Sequence, residues 1–222
     1  MKTSHIFGNF ISLEGIDFTW KTPFSQWLKR DLTAQGMKVI LTRDPPYYIS
    51  PWNQFREFFE SGENLALMSE AFLLLTARLD NFERVILPAL KSGHVIVSDR
   101  YVDSWLAYQS IRLSQYFKDH NHAMEFLILL QDDLVSKGLL GIPSLTIWIS
   151  ESPEVAIKRA STAEKISKYE NLPIQQKVDK QYQFLSKRYS RRIKVVDVRG
   201  LDIHAAYRRV LGVVTSHLSK GG

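Results

Sequence analysis

A chain of 222 residues, 45% hydrophobic and 23% charged, has an ordinary globular composition, long enough for one large core, and a single domain over residues 1–222 is expected. The lack of cysteine excludes disulfides, Cys-ligated zinc and thiol catalysis; no run reaches the roughly 18 apolar residues of a membrane span, and the start lacks a secretory pattern, so a cytoplasmic protein without membrane partners is expected. The excess of 29 Lys and Arg over 23 Asp and Glu, a net +6, suits an anionic partner, and nucleotides fit better than nucleic acid because no basic and aromatic stripe accompanies the charge.

Met1 to Asn9 reads as a loosely ordered polar lead. Phe10 to Leu13 is an apolar run ending just before a glycine, the pattern of a buried strand, and Pro23 to Gln35, with Phe24, Trp27, Leu28 and Leu32 at helical spacing, predicts a helix stopped at Gly36. Lys38 to Thr42 predicts the next strand, completing a βαβ unit. A proline-punctuated loop follows, then a helical segment around Trp52 to Phe59 and a long helical region from Asn64 to Leu90, broken at Gly93. Strands are predicted at His94 to Ser98, Ser144 to Ile149 and Lys194 to Val198. Helices are predicted at Ser104 to Leu113, Ala123 to Lys137, Pro153 to Arg159, Gln175 to Tyr189 and Ile203 to Leu218. Short apolar strands alternating with helices imply a five-stranded parallel sheet covered on both faces, a three-layer α/β/α fold.

Between the first strand and helix, Gly15 to Thr22 supplies the first Gly, the Lys and the Thr of the phosphate-binding pattern G-x-x-x-x-G-K-[ST]. In such a loop successive backbone N–H groups and a helix N-terminus cradle phosphates, the lysine reaches the outer ones, and the hydroxyl ligates Mg²⁺. Trp20 stands in the place of the second Gly, taking space where the loop needs none, and Pro23 has no N–H to offer. In open parallel sheets, ligands sit outside the carboxyl ends of the strands. The residues leaving those ends are Glu14 to Thr22, Arg43 and Asp44, Asp99 and Arg100, and Ser150 and Glu151, which gathers arginines, carboxylates and the loop on one edge.

These pieces resemble, in order, those of the thymidylate kinase family, P-loop nucleoside monophosphate kinases. FISLEGID precedes Lys21 and Thr22; LTRDP at Leu41 to Pro45 is similar to T-R-E-P; Glu70 to Arg78 is similar to E-x-L-L-x-x-A-x-R; PSLTIWIS, PEVAIKR and QKVDKQYQFL follow. The most specific match is DRYVDSWLAYQ at Asp99 to Gln109. The resemblance covers most of the chain and implies a P-loop kinase fold, transfer of phosphate from ATP to dTMP with Mg²⁺, and a homodimer.

Residue by residue, the resemblance implies that Gly15, Ile16, Asp17, Phe18, Thr19, Trp20, Lys21 and Thr22 hold the donor, with Thr22 and Asp99 at the metal, although Asp99 could instead support Arg100. Lys21, Arg43, Asp17 and Arg100 would surround the transferring group. Asp17 would hold the acceptor sugar, Arg100 its phosphate, and Arg78 the edge of the base; Leu74, Ser104, Trp105, Tyr108 and Gln109 would form the acceptor wall. A lid is expected from Ala160 to Pro173, bringing in Lys158, Arg159, Lys165 and Lys168. Departures fall on both sides: Phe18 and Trp20 replace loop glycines, Leu74 replaces a stacking Phe, and Trp105 replaces a small polar residue. Two readings follow, a kinase of reduced activity or altered acceptor, and a catalytically impaired relative that binds a nucleotide or a protein partner without transferring phosphate.

Overall fold

The computed structural model describes residues 6–55, 65–160 and 171–219. Strands β1 (Ile6–Glu14), β2 (Val39–Arg43), β3 (Val95–Asp99), β4 (Ile142–Ser150) and β5 (Ile193–Asp197) form one sheet, all parallel, in the order β2-β3-β1-β4-β5. The helices are α1 (Lys21–Ala34), α2 (Leu67–Asn81), α3 (Leu87–Lys91), α4 (Val102–Leu113), α5 (His120–Ser136), α6 (Pro153–Ala160), α7 (Leu172–Arg188) and α8 (Ile203–Leu218). The chain winds to one side of β1 and later to the other, so the crevice of the sheet opens where β1 ends and residues 15–22 emerge.

The period-2 alternation of the strands separates the two faces. Ile11 and Leu13, with Val95, Val97, Leu145, Ile147 and Ile149, pack on Phe24, Leu28 and Leu32 of α1 and Val210 and Val214 of α8. The opposite face carries Trp148 and Ile193 against α4, α5 and α7, and Phe10 and Ile96 against Phe82, Ile86 and Tyr101. Ser12, Glu14 and Thr146 lie on that second face too, buried but polar. Each finds a partner: the Ser12 and Thr146 hydroxyls pair at 2.9 Å, and Thr146 Oγ1 also donates to Asp103, which Arg192 grips with both Nη atoms at 2.6 and 2.7 Å.

Five expectations shift or fall partly outside the described residues. Residues expected to form a loose lead enter β1 from Ile6, where the strand already pairs with Ile142. The long region after residue 64 is two α-helices joined through a π-helical turn at Phe82–Ile86. Helix α7 starts at Leu172, because Asn171 accepts the Ile174 N–H at 3.1 Å as an N-cap and Pro173 fits the first turn. At the two ends of the expected lid, Ala160 closes α6 and 172–173 open α7; residues 161–170, with Lys165 and Lys168, lie outside the described residues. Of the helix expected at Trp52 to Phe59, 52–55 form a helical turn and the rest lies outside the described residues.

Candidate active site

Gly15 leaves β1 with φ of 142°, and a Cβ there would lie 2.7 Å from the Ile149 carbonyl oxygen, so the position admits glycine alone. Further along, Phe18 (φ 60°) and Trp20 (φ 61°, ψ 18°) occupy the left-handed region. Each costs about 1–2 kcal/mol in a residue with a Cβ. The loop has thus kept the backbone that glycine would take easily, and the Thr19 hydroxyl fastens it to the Ile16 carbonyl at 2.9 Å. The indole expected to crowd the loop lies against Phe24, ring centroids 6.0 Å apart, and under the Arg159 guanidinium, 3.7 Å from its centroid. A cavity of about 400 Å³ remains, lined by residues 17–23 with Arg43, Asp99, Arg100 and Arg159.

Lys21 opens α1 but points inward. Its Nζ donates to the Ile16 carbonyl and, at 3.1 Å, to Thr19 Oγ1, leaving the residue 6% exposed. Burial and then the nearby Arg100 charge pull its pKa down to about 7. The Thr22 hydroxyl donates to Asp99 Oδ2 at 2.5 Å, while Arg100 pairs directly with Asp17 and feels Asp99 as a neighbouring charge. Hard oxygens of this kind suit Mg²⁺, which binds through one or two protein ligands and completes its octahedron with phosphate and water oxygens. One hydroxyl and one carboxylate side by side, at the rim of the cavity, fit that mode. Arg43, exposed at the end of β2, faces the same cavity.

A second cleft, of about 210 Å³, adjoins the first. Arg100 has φ of 69°, a strained turn that aims its guanidinium back across the loop: Nη1 donates to the Gly15 carbonyl at 2.9 Å and to Ser104 Oγ at 3.1 Å, and Nη2 pairs with Asp17. Tyr108 lies 5.3 Å beneath that guanidinium and donates to Asp17 Oδ2 at 2.9 Å. Deeper in, Arg78 is 2% exposed and donates through Nε to Asp44 Oδ2 at 2.7 Å, with Nη2 on the same oxygen. Burial raises the Asp44 pKa, and Arg78 partly offsets the rise. Trp105, expected in the acceptor wall, is 4% exposed; its Nε1 donates to the Ala71 carbonyl at 3.0 Å and its ring carries Arg78 at 5.3 Å. Leu74 and Gln109 complete the wall. Among the described residues, Asp44 Oδ1, Arg78 Nη1 and Gln109 Oε1 are buried without hydrogen-bond partners, which marks the cleft as built for a polar ligand.

Three residues given no role in the sequence-derived site hold it in place. Glu14 is fully buried and accepts the Tyr101 N–H at 2.8 Å, the Ser104 hydroxyl, and Tyr182 at 3.2 Å; burial and then the Asp103 charge push its pKa up to about 7. Gln175 grips Asp17 twice, accepting its N–H at 2.9 Å and donating to Oδ2 at 2.7 Å. A carboxylate at the end of an apolar run was a visible sign for Glu14. Nothing local marks Gln175 or Tyr182, which arrive from over 150 residues away. The two cavities meet at Asp17 and Arg100, which line both. A site with Lys21, Arg43 and Arg159 on one side and Arg78 on the other can bring two anionic ligands together and neutralise charge developing between them.

Comparison with known proteins agrees with this chemistry. The profile of the thymidylate kinase family matches residues 13–205. Over 209 residues, 92% of this chain and 97% of the relative, the chain is 31% identical to a thymidylate kinase of Rickettsia rickettsii (strain Sheila Smith). It is 30% identical to a thymidylate kinase of Synechococcus sp. (strain JA-3-3Ab) over 203 residues, covering 90% of this chain and 92% of that one.

Proposed function

The chain belongs to the thymidylate kinase family and is a nucleoside monophosphate kinase, and from that premise we propose that it transfers the γ-phosphoryl group of ATP to dTMP, yielding ADP and dTDP. The observation that carries this reading is the common wall of the two cavities, where Asp17 and Arg100 face donor and acceptor sides at once. Transfer of a phosphoryl group is mostly positioning and charge neutralisation, so the side chains need no strong general base.

In this reading the backbone of residues 15–22 holds the donor phosphates, with Lys21 and Arg43 as neutralising cations. Thr22 and Asp99 would hold Mg²⁺, which would supply further neutralisation of the transferring group. Asp17 takes the acceptor sugar, Arg100 its phosphate, and Arg78 with Gln109 the edge of the base. Leu74, Ser104, Trp105 and Tyr108 wall the acceptor. Assembly as a homodimer in the cytoplasm belongs to the same reading.

Two arrangements favour a reduced turnover. Lys21 must give up the Ile16 carbonyl and Thr19 to meet a phosphate, and Arg100 must exchange the Asp17 carboxylate for the acceptor's phosphate. The strained Phe18 and Trp20 favour the binding-only alternative, whereas the retention of Lys21, Thr22, Asp99, Arg78 and Arg100 in one site favours catalysis. The test is incubation with Mg²⁺, ATP and each deoxynucleoside monophosphate. Diphosphate formed from dTMP and lost in Lys21→Ala is the expected result. Tight dTMP binding with no product in any combination would leave the binding-only protein.

A further inference from the structure

Position 20 combines three observations. It is one of two loop residues that carry a side chain in the left-handed region, so the chain bears a backbone cost there that glycine would avoid. Its indole nevertheless leaves the cavity open and lies 3.7 Å from the Arg159 guanidinium carbon. Arg159, at the end of α6, is held from two further sides: Nη2 pairs at 2.6 Å with Glu151, whose side chain is 1% exposed at the end of β4, and Nη1 donates to the Phe18 carbonyl at 3.3 Å. Indole, carboxylate and carbonyl together leave a 26% exposed guanidinium at the rim of the same cavity as Lys21 and Thr22.

We propose that Trp20 is a positioning residue for the donor: its indole face shelves Arg159 at the mouth of the phosphate loop, so that a planar cation is already in place when a polyphosphate enters. This inference rests on the assignment of that cavity to the donor. A cation over an aromatic face is held electrostatically without consuming its N–H donors, unlike a second carboxylate, which would cancel its charge. The indole thereby restores by a side chain some of the anion affinity that Pro23, lacking an N–H, removes from the first turn of α1. Lys21, turned into the loop, gains a partner cation that needs no rearrangement.

The experiment is a double-mutant cycle of Trp20→Gly and Arg159→Met in the full chain, with Trp20→Phe as the conservative variant, read by MgATP affinity in calorimetry, by KM against kcat, and by thermal unfolding. Glycine relieves the backbone at position 20, so the variant folds. Trp20→Gly is expected to weaken MgATP binding about two- to thirtyfold, the range of a cation–π contact between exposed and desolvated settings, with the KM for dTMP unchanged. Trp20→Phe should recover most of the loss, and adding Arg159→Met to Trp20→Gly should cost little more. The proposal is overturned if Trp20→Gly binds MgATP as well as the parent or better while Arg159→Met still weakens it, or if the two residues couple in thermal stability alone. Failure of the underlying donor assignment would look different: the unaltered protein would bind no MgATP, and the proposal would fall with it.

Discussion

In the cleft proposed for the acceptor, arginines rest on carboxylates: Arg78 on Asp44, Arg100 on Asp17. On the donor side the cations lean on other things, Lys21 on a carbonyl and a hydroxyl, Arg159 on an indole as well as on Glu151, while Arg43 stands in solvent. The contrast teaches that the two halves are organised by different forces. Ion pairs fix the acceptor cleft before any ligand arrives, and a ligand must displace a carboxylate or occupy an orphan atom such as Arg78 Nη1. The donor loop is fixed by backbone conformation, and its leading cation carries a proton that is only half retained near neutral pH.

The sharpest way to break this division is Arg100→Ala, which removes the group both halves share. Acceptor binding should fall by about a hundredfold or more, because the variant also leaves Asp17 without its cation, whereas MgATP affinity should change far less. The reverse pattern in calorimetry would exchange the two cavities.

A titration of affinity separates the halves next. Lys21 must be charged to hold a phosphate, and a bound anion raises its pKa, so MgATP binding takes up a proton and weakens as pH rises above about 7. Between pH 7 and 9 a loss approaching tenfold per unit is the limit for one proton. Acceptor binding, which depends on arginines, should stay flat there, because the second ionisation of a phosphate monoester lies near pH 6 and is complete above 7. Equal slopes for both ligands would erase the contrast.

A smaller change tests whether the acceptor side is fixed in advance. Gln175→Ala frees both the N–H and Oδ2 of Asp17, and the KM for dTMP should rise about five- to tenfold, the weight of one or two hydrogen bonds, with KM for ATP unaltered.

The smallest effect concerns stability. Glu14 has its folded pKa raised, from 4.5 to about 7, so the folded protein keeps a proton that the unfolded chain loses. Stability from this group is full below pH 4.5 and falls as pH rises through about 7. Glu14→Gln should flatten that decline, leaving Tm near that of the parent at pH 5 and a few degrees above it at pH 8. A parent whose Tm climbs between pH 5 and 7.5 and drops in the variant would contradict the assignment.

The sheet and its order of helices were legible because buried parallel strands write themselves as short apolar runs, and Ile203 to Leu218 was read to the residue from its periodicity. Ends were harder where a cap decides them: with Asn171 as its cap, α7 begins at Leu172, three residues before the expected Gln175. The edge residues Lys21, Arg43, Arg100 and Asp99 converge as the strand ends imply. What pattern could not convey is direction. A lysine in a phosphate-loop spacing does not announce that its amine folds back onto Ile16, nor does Trp20 reveal from spacing alone that it faces Arg159. Spacing along the chain also hides residues that come from afar, which is why Gln175 and Tyr182 escaped notice.

Helix α7 touches the carboxylates on either side of Gly15, Asp17 through Gln175 and Glu14 through Tyr182, two turns further along. The rim of the loop and this helix are therefore clamped as one bracket. A slide of α7 by a single residue, about 1.5 Å, would loosen both grips together, so a force applied to its first turn would be felt as a change in the spacing of two carboxyl groups beneath the site.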